Sequence, residues 1–130
     1  MKFEDLYSLI EEESKYGNIL VPRRTEDRFE RFIQEYIKNG SKGDLYLDNT
    51  PISKLPDNLK KVGGYLNLSD TLISKLPDNL SVERSLNLYG TPISKIPDNL
   101  SVGRHLFADD TLISELPNNL SVGKNLILYN

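Results

Sequence analysis

The stretch whose reading decides the fold is LNLSDTLISKLPDNLSV, residues 66–82. It recurs as LNLYGTPISKIPDNLSV from Leu86 and LFADDTLISELPNNLSV from Leu106, and it is preceded by LYLDNTPISKLPDNLKKV from Leu45. A further copy opens at Leu126 with LILYN. Self-similarity at a fixed period of about 20 residues is the mark of a solenoid, in which each unit buries its apolar face only against its neighbours. Such a body points to a binding surface rather than an active site.

Each unit opens with apolar and outward residues alternating at period two, so the paired leucines of LxL point inward from a short strand. Ile52, Ile73, Ile93 and Ile113 continue the inward set, followed by the Leu55, Leu59 and Val62 columns. Pro56, Pro77, Pro97 and Pro117 fix φ and lack an N–H, which excludes a helical return arm. The Asp-Asn or Asn-Asn pair after each proline is a turn former. Prolines recur at 21, 20 and 20 residues but the Val62 column recurs at 20 throughout, so the extra residue lies at Lys60-Lys61. The expected coil is one short strand, a turn and a non-helical return arm, with strands of successive coils stacking into a parallel sheet.

The pattern LxLxxT-x-I-xx-LP over residues 45–130 resembles leucine-rich repeats, especially the short bacterial kind with a Leu-Pro pair. The wording VGG-x-LxL and TxIxxLPDNL also resembles small repeat proteins encoded by bacteriophages and bacteria. The resemblance implies a concave sheet that binds proteins. Where many members of that family place Asn after the strand, this chain has Thr50, Thr71, Thr91 and Thr111, whose hydroxyls are expected to satisfy loop backbone.

Residues 1–40 read as helical. Phe3, Leu6, Tyr7 and Ile10 form one apolar face. A second helix is marked by Thr25 at its start, by a stripe of Phe29, Phe32, Ile33, Tyr36 and Ile37, and by Gly40 after its end. Terminal coils need covering, so the expectation is an α+β chain. Two N-terminal helices (1–40) cap a solenoid (41–130) of four full repeats and a fifth strand, in one continuous body.

Composition narrows function. The 16 basic and 19 acidic side chains leave a net charge of −3, without the basic excess that nucleic-acid binding needs. No apolar run approaches the length of a membrane span. The lack of cysteine fits a reducing cytoplasm (the host's, if the chain is phage-encoded) and removes thiolate metal sites. His105 is the only histidine, too little for a metal centre with Asp109 and Asp110. No catalytic triad, phosphate loop or metal motif is present, and neither an enzymatic activity nor a cofactor is expected.

What differs between coils should carry the partner's identity. The outward strand positions hold Tyr46, Tyr65, Asn67, Asn87, Tyr89, His105, Phe107 and Asp109, an aromatic and amide-rich set of the kind found in protein interfaces. The plainer reading is that tyrosines suit strands and shield the sheet. Arg84, Arg104 and Lys124 form a basic row that nearby acids dilute, which makes a nucleic-acid role remote. Ala108 replaces a strand leucine without an evident reason. Leu126, Ile127, Leu128 and Tyr129 lie in the last strand, whose open edge is expected to support self-association as a two-fold homodimer. The favoured expectation is a protein-binding module that inhibits a host factor; an assembly protein built on the open edge is the alternative.

Overall fold

The computed structural model describes residues 25–129. Helix α1 (Thr25–Lys38) is followed by nine two-residue strands. They are β1 (Leu45–Tyr46), β2 (Lys61–Val62), β3 (Leu66–Asn67), β4 (Ser81–Val82), β5 (Leu86–Asn87), β6 (Ser101–Val102), β7 (Leu106–Phe107), β8 (Ser121–Val122) and β9 (Leu126–Ile127). They form a parallel-strand solenoid of about four turns, with Leu45, Leu66, Leu86, Leu106 and Leu126 aligned one above the next.

Two expectations are corrected. The described residues contain one helix, α1, instead of a two-helix cap; the first expected helix, over Phe3–Ile10, lies outside the described residues. The return arm is also more regular than the sequence suggested. Its last residues form a second, four-stranded parallel sheet in the order β2-β4-β6-β8, beside the five-stranded sheet β1-β3-β5-β7-β9. Only one residue of each pair is apolar, the inward valine, so no alternation was there to be read. The surplus residue falls at Lys60: Lys61 pairs with Ser81, and the Ser81 N–H bonds the Lys60 carbonyl at 2.9 Å.

The core is a set of columns. Leu45, Leu66, Leu86 and Leu106 are fully buried, as are Leu47, Leu68 and Leu88, with Ile52, Ile73, Ile93, Leu59, Leu80, Leu100 and the valines beside them. At roughly 2 kcal/mol for each fully buried aliphatic side chain, these columns supply the main driving force. Each coil then turns where the backbone goes left-handed, at Asn49, Asp70, Gly90 and Asp110 (φ 54–69°). Asn, Asp and Gly are the residues that enter this region at least cost. The threonine that follows donates its hydroxyl to the carbonyl three residues back: Thr50 to Leu47, Thr71 to Leu68, Thr91 to Leu88 and Thr111 to Ala108, at 2.7–2.8 Å. The expected hydroxyl row thus closes each turn from within its own coil.

At the N-terminal end α1 buries Phe29, Phe32, Ile33 and Tyr36 against the first coil. It stops in a Schellman arrangement: the Ser41 N–H reaches the Tyr36 carbonyl (3.0 Å), the Gly40 N–H reaches Ile37 (2.9 Å), and Gly40 takes φ 93°. The buried Tyr36 hydroxyl then latches helix to solenoid. It faces the carbonyls of Ser41 (3.0 Å) and Gly43 (2.8 Å) and accepts the Gly63 N–H (3.3 Å). Burial pushes its pKa above the ordinary value of 10.0. Gln34 and Asn58 exchange a pair of amide hydrogen bonds (2.8 and 2.9 Å) at the same junction.

Candidate functional site

The outward face of the five-stranded sheet is built from three rows, set by the alternation of each strand. Ahead of the strand centre lie Asp44, Tyr65, Ser85 and His105. At the centre are Tyr46, Asn67, Asn87, Phe107 and Ile127, and after it come Asp48, Ser69, Tyr89, Asp109 and Tyr129. Most are half-buried, because neighbours one coil away, about 4.8 Å distant, shield one another. Tyr89 and Tyr129 are exposed, at 44 % and 72 %.

The aromatic residues fall into local groups. Tyr46 and Tyr65 meet edge to face at 5.7 Å, an arrangement favoured by the ring quadrupoles. Hydrogen bonds hold this pair. Asp44 accepts the Tyr65 N–H on one carboxylate oxygen (2.7 Å) and the Tyr46 hydroxyl on the other (3.2 Å). The Asn87 amide donates to the Tyr65 hydroxyl at 3.2 Å. The Tyr65 N–H, with the Tyr46 hydroxyl helping, holds the Asp44 carboxyl below its usual range. At the other end His105 and Phe107 lie 5.7 Å apart, and the buried His105 Nδ1 has no hydrogen-bond partner among the described residues. Between these groups Asn67 and Asn87 accept the N–H groups of Ser69 and Tyr89, each at 3.0 Å, which fixes the centre row. Tyr89 leans the other way: its hydrogen bond to Asp110, with the charges of Asp110, Asp70 and Asp109, raises its pKa.

All eight sequence-derived partner-binding candidates therefore share one sheet face. They subdivide into a Tyr46–Tyr65–Asn87 group, a His105–Phe107 pair, and Tyr89 beside the turn carboxylates. Asp109 accepts the Tyr129 N–H at 2.9 Å, joining the last strand to the face. Asp44 and Asp110, which organise the tyrosines, were not singled out from sequence; the turn-forming D/N/G column at 49, 70, 90 and 110 was the available signal for the second. Leu72 and Leu112 are exposed at 58 % and 66 % just past the turns where the other coils carry Pro51 and Pro92.

Of the self-association candidates, Leu126 and Ile127 form β9 and Leu128 and Tyr129 follow it; Leu126 is 38 % exposed although Leu106 below it is fully covered. Among the described residues no cluster of three or more His, Asp or Glu side chains is arranged to hold a metal ion, and no helix is long and apolar enough to cross a membrane. Compared with known protein families, with curated proteins and with solved structures, the chain matches none.

Proposed function

We propose that this chain is a non-enzymatic protein-binding module of the leucine-rich-repeat kind, which occupies a protein partner through the outward face of its five-stranded sheet. The observation that carries the reading is the Tyr46–Tyr65 pair. Two aromatic side chains stand outside the core and are fixed by Asp44 and Asn87 instead of being left to rotate. Ordering side chains before binding removes an entropic cost of roughly 0.5–1.5 kcal/mol for each, so a pre-set aromatic surface suits macromolecular recognition. Tyrosine in particular combines large apolar area with a polar tip.

The experiment compares immobilised wild-type protein with a Tyr65→Ala/Tyr89→Ala/Phe107→Ala variant of unchanged circular dichroism, using a lysate of the native host and quantitative mass spectrometry. The reading expects a protein enriched by the wild type and lost with the variant. Equal recovery by both proteins, or enrichment of nucleic acid that collapses steeply with salt, contradicts it.

A further inference from the structure

We infer that Arg84, Arg104 and Lys124 form a docking row for a short acidic segment of a protein partner. The inference rests on the protein-binding reading of the sheet face and names the chemistry of what binds there. The three residues occupy the same position in successive coils, just ahead of the five-stranded sheet, and all are exposed. Backbone bonds stack them: the Arg104 N–H reaches the Arg84 carbonyl (3.0 Å) and the Lys124 N–H reaches the Arg104 carbonyl (2.8 Å). Successive coils are about 4.8 Å apart, so like charges stand side by side, an arrangement that is destabilising unless an anion joins them. Among the described residues none of the three side chains makes an ion pair or a hydrogen bond.

The acids expected to dilute this row do not neutralise it. Glu83, next to Arg84 in the chain, is held by Lys61 at 3.0 Å. In the two coils that follow, the same position is Gly103 and Gly123. Asp44 accepts the Tyr65 N–H and the Tyr46 hydroxyl, and Arg84 attracts it through space without an ion pair. Asp109 and Asp110 lie at the far end of the strand, roughly 16 Å from Arg104 at about 3.3 Å per residue. That exceeds the screening length of about 8 Å at physiological salt. The row itself spans two coil steps, about 10 Å, which an extended chain covers with about three residues. A short run of carboxylates therefore matches the charge on offer. A nucleic-acid strand presents phosphates well beyond these three cations, where the face carries Asp44, Asp48 and Asp109, and the net charge of −3 supplies no wider basic field.

The test titrates isotope-labelled protein with a short peptide carrying a central Glu-Glu-Glu run and follows backbone amide shifts by NMR, which registers weak binding. Shifts are expected at Arg84, Arg104 and Lys124 and at the residues beside them. Arg84→Glu/Arg104→Glu changes exposed side chains and keeps the backbone bonds. It should weaken the peptide at least about tenfold, because a reversed charge repels where it attracted; Arg84→Gln/Arg104→Gln should fall between. Absence of binding by the wild type, shifts that leave the row untouched, equal binding by the reversed variant, or stronger binding of a Lys-Lys-Lys peptide or of oligothymidylate overturns the inference. The peptide titration decides the row even where the lysate yields no partner. The lysate capture separates the two claims: a partner lost with Tyr65→Ala/Tyr89→Ala/Phe107→Ala but fully retained by Arg84→Glu/Arg104→Glu leaves the sheet-face reading standing and overturns the acidic segment.

Discussion

Replacing Gly103 by Ala adds one methyl group, and the structure gives it nowhere to go. A Cβ at position 103 would overlap the carbonyl oxygen of Glu83 in the coil below and crowd its carbonyl carbon. The neighbour is backbone, so no side chain can rotate away. Relief requires lifting the bend between β6 and β7, which stretches the bonds from the Gly103 N–H to Val82 (2.9 Å) and from the Arg104 N–H to Arg84 (3.0 Å). Overpacking of this kind costs about 1–3 kcal/mol. For a chain of this length each kcal/mol moves Tm by roughly 3–5 °C, so a fall of roughly 3–15 °C is expected. The opposing effect, reduced freedom of the unfolded chain, stabilises by only about 0.4–1 kcal/mol where the backbone is compatible. The sign of the change therefore decides. Glu83 occupies the same column with a Cβ of its own, and its pair with Lys61 (3.0 Å) is half-exposed. Glu83→Ala is expected to shift stability by no more than about 1 kcal/mol. Thermal unfolding followed by circular dichroism measures both. A Gly103→Ala protein with a Tm equal to or above wild type would refute the close approach of successive coils at this bend.

Other outcomes are equally specific. Tyr36→Phe removes the hydroxyl that joins α1 to Ser41, Gly43 and Gly63, and should lower stability by about 1–3 kcal/mol in urea titration. The folded-state pKa of Tyr36 is raised, so its contribution is intact below pH 10, the unfolded value, and is lost as pH rises through the folded value. Wild-type Tm should thus fall above pH 10 and the Phe variant should fall less steeply. Asp44 has the opposite sign: its pKa is lowered, so its contribution is present above the unfolded value of 3.8 and lost as pH drops through the folded one. Asp44→Asn should therefore flatten the acid limb of the Tm profile, and should sharpen no tyrosine signal in near-ultraviolet dichroism. Thr91→Val, which deletes a buried hydroxyl donor to Leu88 while keeping shape, should cost about 1 kcal/mol; no change would mean the turn does not need the bond.

The repeat made most of the solenoid legible. Period-two leucines placed the first sheet, the prolines excluded helical return arms, and the column spacing located the surplus residue at Lys60-Lys61. What stayed hidden had physical reasons. Strands such as Ser81–Val82 are two residues long with a single apolar side chain, so their pairing comes from the stacking of whole coils and leaves no local pattern. The Tyr36 latch looked like one more member of a helix stripe, since sequence spacing reveals burial but not where a hydroxyl ends up. On the sheet face, spacing identified which residues share a surface. It could not show that Asp44 and Asn87 hold the Tyr46–Tyr65 pair, because all of those contacts except the Asp44–Tyr46 bond join residues 19 to 22 positions apart through the register. The exchange of leucine for Ala108 remains without a structural explanation.

The core columns and the sheet face exist only if each coil lies directly upon the last. Solution NMR of isotope-labelled protein tests that most directly, through backbone contacts between residues paired in the parallel sheets. Cross-peaks linking Leu45 with Leu66, Leu66 with Leu86 and Leu86 with Leu106 are predicted, together with Val62–Val82 and Val82–Val102. Sequential helical contacts through residues 45–129, or a spectrum without any contact between successive copies, would contradict it.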